Sequence, residues 1–380
     1  VSALSPKPLS ENVKRGLAWL VEHQHPNGGF SQGEESVHMG QNLAGLKDKP
    51  NVADTSAAAL ALIRSGSTPQ DGPYAKNISA AVRFVCASVK ASDDQSLYVT
   101  EMRGTRLQAK LGNYIDTFLA SMLLAEVKGK MPDQANENLV GLALQKVMDK
   151  IARNQRSDGT FGETGWASTL STSMAAKGVN RAALAQPSGV NEAVREKLER
   201  QARDQFDGKT GRFSGKESAG VDLYSTAANL GAMQDSVNTN SAQRQALEER
   251  AAKARTAAER EDAKRVLQRH DEVGRELEVA RQAAVRKLDD DRFVAGFGSN
   301  GGEEFLSYMN LGESLVVKGG TDWEKWDKKI TENLNHIQNN DGSWTGHHCI
   351  TGRSFCTSAA LLVLLTDRAP VPVTTAFARK

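Results

Sequence analysis

The sequence predicts an all-α fold, an (α/α)6 toroid built from six helical hairpins that close into a ring, with a long charged helical insertion. Three observations predict it. A glutamine–glycine–aromatic turn recurs along the chain, a helix rich in small residues follows each turn, and a stretch of Ala, Glu, Arg and Lys interrupts the pattern late in the sequence. Self-similarity at long intervals marks units that bury their apolar faces only by stacking on their neighbours.

The turn is clearest in Gln24-x-x-x-Gly28-x-Phe30, Gln155-x-x-x-Gly159-x-Phe161 and Gln338-x-x-x-Gly342-x-Trp344, with looser copies at Gly211-Arg212-Phe213 and Gly296-Phe297. An amphipathic helix precedes each copy. In the last, Trp323, Trp326, Ile330, Leu334 and Ile337 hold one face at steps of three and four. The second helices begin near Asp54-Thr55-Ser56, Asp116-Thr117, Ser168-Thr169, Tyr224-Ser225-Thr226, Glu304-Phe305-Leu306-Ser307 and Cys356-Thr357-Ser358. Hydroxyl and carboxylate side chains there satisfy the orphan N–H groups of a helix start. These starts give six pairs, the second of which lacks a clear turn and uses Tyr98 in its place. The polar first helices face outward and the Ala/Leu-rich second helices line the ring. Glycine permits the reversal, and the aromatic plugs the gap between adjacent pairs.

The pattern divides the chain into repeats 1–4 over residues 1–240, a charged insertion over 241–275, and repeats 5–6 over 276–380, one continuous domain with an insertion. Charges four apart, such as Glu261 and Arg265, support a helix in the insertion, and His270 to Gly274 marks a reversal into a hairpin. This arm, 241–290, either binds a protein partner or is an elongated outer helix. The formal net charge of +2 excludes a dedicated nucleic-acid surface. No apolar run reaches the roughly 18 residues of a membrane span. A start at Val1 followed by Pro6 and Pro8 reads as the result of removing a signal peptide or an expression tag, which with a Cys349–Cys356 disulfide leans toward a secreted or periplasmic protein, a cytoplasmic one being the alternative.

Arg15-Gly16-Leu17-Ala18-Trp19-Leu20-Val21-Glu22-His23-Gln24-His25-Pro26-Asn27-Gly28-Gly29-Phe30 resembles the glutamine–tryptophan repeat of squalene and oxidosqualene cyclases, with Phe30 in place of the final tryptophan. The resemblance is to the terpenoid-cyclase and protein-prenyltransferase superfamily. It covers the whole chain as architecture and is close in the first, third and sixth repeats. It implies a central cavity able to take a small molecule such as a lipid or isoprenoid. The family's chemistry carries over poorly. Where squalene–hopene cyclases place a proton-donating aspartate before a D-T-A run, Asn51-Val52-Ala53-Asp54-Thr55 puts Ala53. Prenyltransferases take zinc ligands from an Asp and a Cys at one inner-helix start and a His at the last. Here Cys356 stands where that His would fall, and Glu303-Glu304 supplies acid without thiol.

Two sets of residues remain as candidates. All histidines except His270 lie in the first and last repeats, which ring closure makes neighbours. His38, His347, His348, Cys349 and Cys356 are therefore candidate ligands for zinc or copper, with Met39 favouring copper. The alternatives are helix-capping histidines and a Cys349–Cys356 disulfide. At the inner-helix starts, Asp54, Asp116, Asp222 and Glu304 are candidate acid–base residues, or simple caps. The sequence thus predicts an enzyme outside the standard cyclases and prenyltransferases, with a metal or small-molecule site between the first and last repeats. Its alternatives are a non-catalytic ligand- or protein-binding ring and, third, an isoprenoid cyclase or prenyltransferase.

Overall fold

The computed structural model describes residues 6–36 and 44–370. In chain order its helices are α1 (Glu11–Glu22), α2 (Val52–Arg64), α3 (Ala75–Ala91), α4 (Arg106–Leu111), α5 (Ile115–Val127), α6 (Gln134–Asn154) and α7 (Ser168–Ala185). They continue as α8 (Glu192–Asp204), α9 (Asp222–Lys253), α10 (Ala257–Val285), α11 (Asp291–Val294), α12 (Gly302–Val316), α13 (Gly320–His336) and α14 (Arg353–Leu364). Two short antiparallel ladders pair Phe30–Ser31 with Pro50–Asn51 and Phe206–Asp207 with Arg212–Phe213. The six predicted inner helices are α2, α5, α7, α9, α12 and α14, each starting within a few residues of its predicted position. Each packs on the next, and α14 packs back on α2, so the ring closes. Every residue of α5 is buried, as an inner helix enclosed by an outer helix and by its ring neighbours must be.

The repeated turn is the joint between hairpins. Gln24 Nε2 donates to the carbonyl of Gly28 inside its own turn (2.8 Å) and to that of Asn77 at the start of α3 (2.9 Å). Gln155 does the same with Gly159 and Val194 of α8, and Gln338 with Gly342 and Asn12 of α1. Each glycine has positive φ, and a Cβ on it would strike the backbone carbonyl of the next outer helix, at Ala80, Lys197 and Arg15 respectively. The same motif that joins neighbouring repeats therefore also joins the last repeat to the first. Inner-helix threonines complete two of the joints. Thr55 Oγ1 accepts from Phe30 N (2.8 Å) and Thr357 Oγ1 from Trp344 N (2.9 Å).

Three expected details differ. In the second repeat the plug is aliphatic, because Leu97 and Val99 are buried while Tyr98 is half-buried against Tyr114. Phe297 of the fifth repeat is 52% exposed and plugs nothing. The reversal of the arm lies at Ala254–Thr256, where the Thr256–Glu259 capping box starts α10, and both His270 and Gly274 sit inside that helix. A single helical glycine costs only about 1 kcal/mol, too little to break so long a helix. The arm extends inner helix α9, buried as far as Asn240, and leads into outer helix α10. Among the described residues no helix is long and apolar enough to cross a membrane.

At one end of the ring the axis is crossed by a buried ionic network. Glu313 of α12 meets Arg64 of α2 (2.9 Å), Lys177 of α7 (2.6 Å) and Arg181 of α7 (3.3 Å). Lys177 also meets Asp235 of α9 (2.8 Å), and Glu126 of α5 meets Arg64 and Arg181. Three cations balance three anions, and five inner helices are tied together. The opposite end, where the inner helices begin, carries the chemistry described next.

Candidate metal centre

The start of α12 is shaped by Glu304, the third residue of a capping arrangement. Its Oε2 accepts from Gly301 N (3.0 Å), and its Oε1 accepts from Phe297 N (3.0 Å) and from the Tyr224 hydroxyl of α9. The loop before α14 lies directly on this start. His347 N donates to Asn300 O (2.8 Å) and Gly302 N to Ile350 O (3.1 Å). Contact is close enough that a Cβ on Gly302 would lie 2.7 Å from Ile350, and one on Gly301 2.9 Å from the His348 carbonyl.

This docking brings Glu303, His348 and Cys349 together, all buried, each offering a ligand atom within 4.8 Å of the others. His348 Nε2 stands 2.7 Å from the Ser299 carbonyl and 3.4 Å from Glu304 Oε2. A carbonyl only accepts, so Nε2 carries a proton, and in the neutral ring the lone pair is on Nδ1. That Nδ1 is buried without a partner, as is Glu303 Oε1. Orphaned buried polar atoms are uncommon in folded proteins and call for a specific cause. Cys349 holds a left-handed backbone (φ 53°), unusual for a side-chain-bearing residue. Burial, then the neighbouring Glu304 charge, pushes the Glu303 carboxyl up to about 8, and burial pushes the Cys349 thiol up to about 12. Without a cation the two groups are held protonated. Carboxylate oxygen, imidazole nitrogen and thiolate sulfur form a donor set that zinc accepts.

Aromatic rings border the trio. Phe297 meets His348 edge-on (centroids 5.2 Å) and Trp166 at 5.1 Å, and Trp166 lies 6.4 Å from Tyr224. Lys110 Nζ stands 5.8 Å over the Trp166 ring.

The structure redistributes the other candidates. Cys356 is fully buried with its Sγ donating to Ile350 O (3.5 Å). It and Cys349 are free thiols, so the expected disulfide is not formed. His347 is exposed and lies outside the trio. His38 and Met39 fall outside the described residues. His23 stacks on Trp19 (3.8 Å) and His25 bonds Ser31 (3.1 Å), both as parts of the first turn. Asp54 is buried, bonded by Asn51 Nδ2 (2.7 Å), and raised to about 7 by burial despite that bond. Asp116 accepts from Ala53 N and Gln108 Nε2, and burial raises it too. Asp222 is half-exposed and paired with Lys287 (2.9 Å), remote in role from the other acids. The trio therefore spans the fifth and sixth repeats. The seam between the first and last repeats is held by Glu35, which accepts from Thr351 N (2.7 Å) and Thr351 Oγ1 (2.6 Å). Glu303 went unranked as a ligand because its partners are 45 and 46 residues away. Its place at a helix start is the local signal it offers.

The ring and the turn that closes it define an α/α toroid, and comparison with known proteins agrees. A family model described as the prenyltransferase alpha-alpha toroid domain matches residues 2–214 and 102–264, together more than half of the sequence. The chain belongs to that family. No curated protein matches it. Among solved structures it is similar to an inactive variant of an alpha-1,6-mannanase of Salegentibacter sp. in complex with alpha-1,6-mannotriose, at 11% identity and TM-score 0.56, covering 94% of this chain and 98% of that one. It is also similar to an alpha-amylase from Clostridium perfringens, at 9% identity and TM-score 0.55, covering 95% and 99%. At such identities the likeness is one of fold.

Proposed function

We propose that this chain is a metal-dependent enzyme of the toroid fold, with zinc held by Glu303, His348 Nδ1 and Cys349, acting on a small molecule at the inner-helix end of the ring. One observation carries the reading: a buried carboxylate, imidazole and thiol converge, and on two of them a polar atom, Glu303 Oε1 and His348 Nδ1, is left without a hydrogen-bond partner. Among the described residues the set has three protein ligands, the number that catalytic zinc sites use beside a water or substrate. Held by Glu303, His348 and Cys349, zinc would supply Lewis acidity to a water or substrate atom. The chain's own part is to orient and to exclude water. His348 is fixed by Ser299 and Glu304, and Phe297 and Trp166 offer apolar faces to a substrate beside it. The set repeats the carboxylate–thiol–imidazole chemistry of prenyltransferase zinc sites from different positions, thiol and imidazole both coming from the last loop. Zinc is the ion proposed because carboxylate, imidazole and thiolate are all donors that it accepts.

Elemental analysis of purified protein, with wild type beside Cys349→Ser and His348→Ala, tests the site. Stoichiometric zinc in wild type and its loss in both variants is the expected result. Zinc absent from wild type, even after incubation with the ion, or retained in both variants, refutes it. Incubation of the zinc-loaded protein with squalene or a prenyl diphosphate then asks whether the substrate is isoprenoid.

A further inference from the structure

Glu304 is the most heavily engaged carboxylate at the site, and none of its bonds suits it to proton transfer with a substrate. Both oxygens are occupied, by Gly301 N, Phe297 N, the Tyr224 hydroxyl and His348 Nε2. Tyr224 is fully buried on α9, in the fourth repeat, and its hydroxyl reaches across to α12 of the fifth. His348 belongs to the loop of the sixth. A chain of contacts therefore runs through three repeats and ends on one edge of one imidazole ring.

That edge decides what the other edge does. A neutral imidazole has one N–H and one lone pair. With Nε2–H shared between the Ser299 carbonyl at 2.7 Å and Glu304 Oε2 at 3.4 Å, the neutral ring has its lone pair at Nδ1, which is buried and unpartnered on the residue grouped with Glu303 and Cys349. We infer that Glu304 and Tyr224 are positioning residues that fix the tautomer and ring plane of His348 for ligation, Tyr224 acting by holding Glu304. The inference rests on the metal site proposed above. It reassigns Glu304 from acid–base candidate to support. Outer contacts that set imidazole orientation typically govern metal affinity by about 10–100-fold.

Cobalt(II) is the probe, since its visible bands report coordination geometry and its near-ultraviolet band reports thiolate ligation. Titration of the full chain with cobalt(II) compares wild type, Tyr224→Phe and Glu304→Gln, with thermal unfolding alongside. Tyr224→Phe removes only the hydroxyl, so it keeps the test alive if Glu304→Gln, which also disturbs the α12 cap, fails to fold. Binding weakened about tenfold or more, with altered visible bands and a retained thiolate band in a folded Tyr224→Phe protein, is the result expected. Wild-type affinity and wild-type bands in folded Tyr224→Phe overturn the relay while leaving the site standing. A wild-type chain that takes up no cobalt overturns the site and the relay together.

Discussion

Removing the charge of Glu313 should be among the most damaging single substitutions in this protein. Its carboxylate is 3% exposed and meets three cations, of which Arg64 and Lys177 are each 1% exposed. Glu313→Gln keeps the shape and leaves Arg64, Lys177 and Arg181 facing only Glu126 and Asp235, a net positive charge with no water to receive it. Breaking a buried pair by removing one partner costs about 3–5 kcal/mol, a large share of the roughly 5–15 kcal/mol that holds most folded proteins together. Arg244→Ala is the matched control, because Arg244 pairs with Glu248 and Asp271 at the exposed surface of the arm, where such pairs contribute about 1 kcal/mol or less. Urea unfolding of both variants gives the comparison. Adding Lys177→Met to Glu313→Gln restores charge balance and should recover part of the loss, a non-additivity of about 0.5–3 kcal/mol. If Glu313→Gln shifts the urea midpoint no further than Arg244→Ala, the network is not desolvated as described and the reasoning fails.

Two further outcomes follow from particular residues. Burial raises the Asp54 carboxyl from its ordinary 3.8 to about 7, so the folded state holds that proton more tightly than the unfolded chain. Its contribution is intact below about pH 4 and is lost as pH rises through 7, at a limiting slope of about 1.4 kcal/mol per pH unit. Asp54→Asn should flatten that stretch of the stability–pH curve, and parallel curves for the variant and wild type would contradict the assignment. Gly342→Ala places a Cβ 2.8 Å from the Arg15 carbonyl at φ 93°. It should cost clearly more than Gly33→Ala, where φ is 73° and no described residue stands within 4 Å, because the first adds a backbone clash at the ring joint to the strain of about 1 kcal/mol that both share. Equal melting temperatures for the two would argue against a tight joint.

The architecture could be read without coordinates because it is written in short-range patterns. Gln24, Gly28 and Phe30 act within one turn and reach only to the next outer helix, so their spacing recurs wherever the joint recurs. Helix starts were equally readable, since capping is local. The weakly marked turns were not. Leu97 stands in for an aromatic, and Phe297, although part of a turn-like Gly–Phe pair, is diverted to the site because Glu304 holds its backbone N–H.

The site lay beyond that horizon. Histidines clustered at the chain ends pointed to the loop that carries His348 and Cys349, both among the candidates. Which of them face one another depends on how the 347–350 loop docks on Gly301 and Gly302, a contact between distant residues. The ionic network is more distant still: Arg64, Glu126, Lys177, Arg181, Asp235 and Glu313 are charges spread over five inner helices, each unremarkable in its own window. Helical periodicity and turn chemistry are local, and they settle that this chain forms a closed ring of hairpins. Desolvation and pairing of charges are properties of the assembled interior, so only ring closure decides which carboxylate meets which imidazole, thiol or guanidinium.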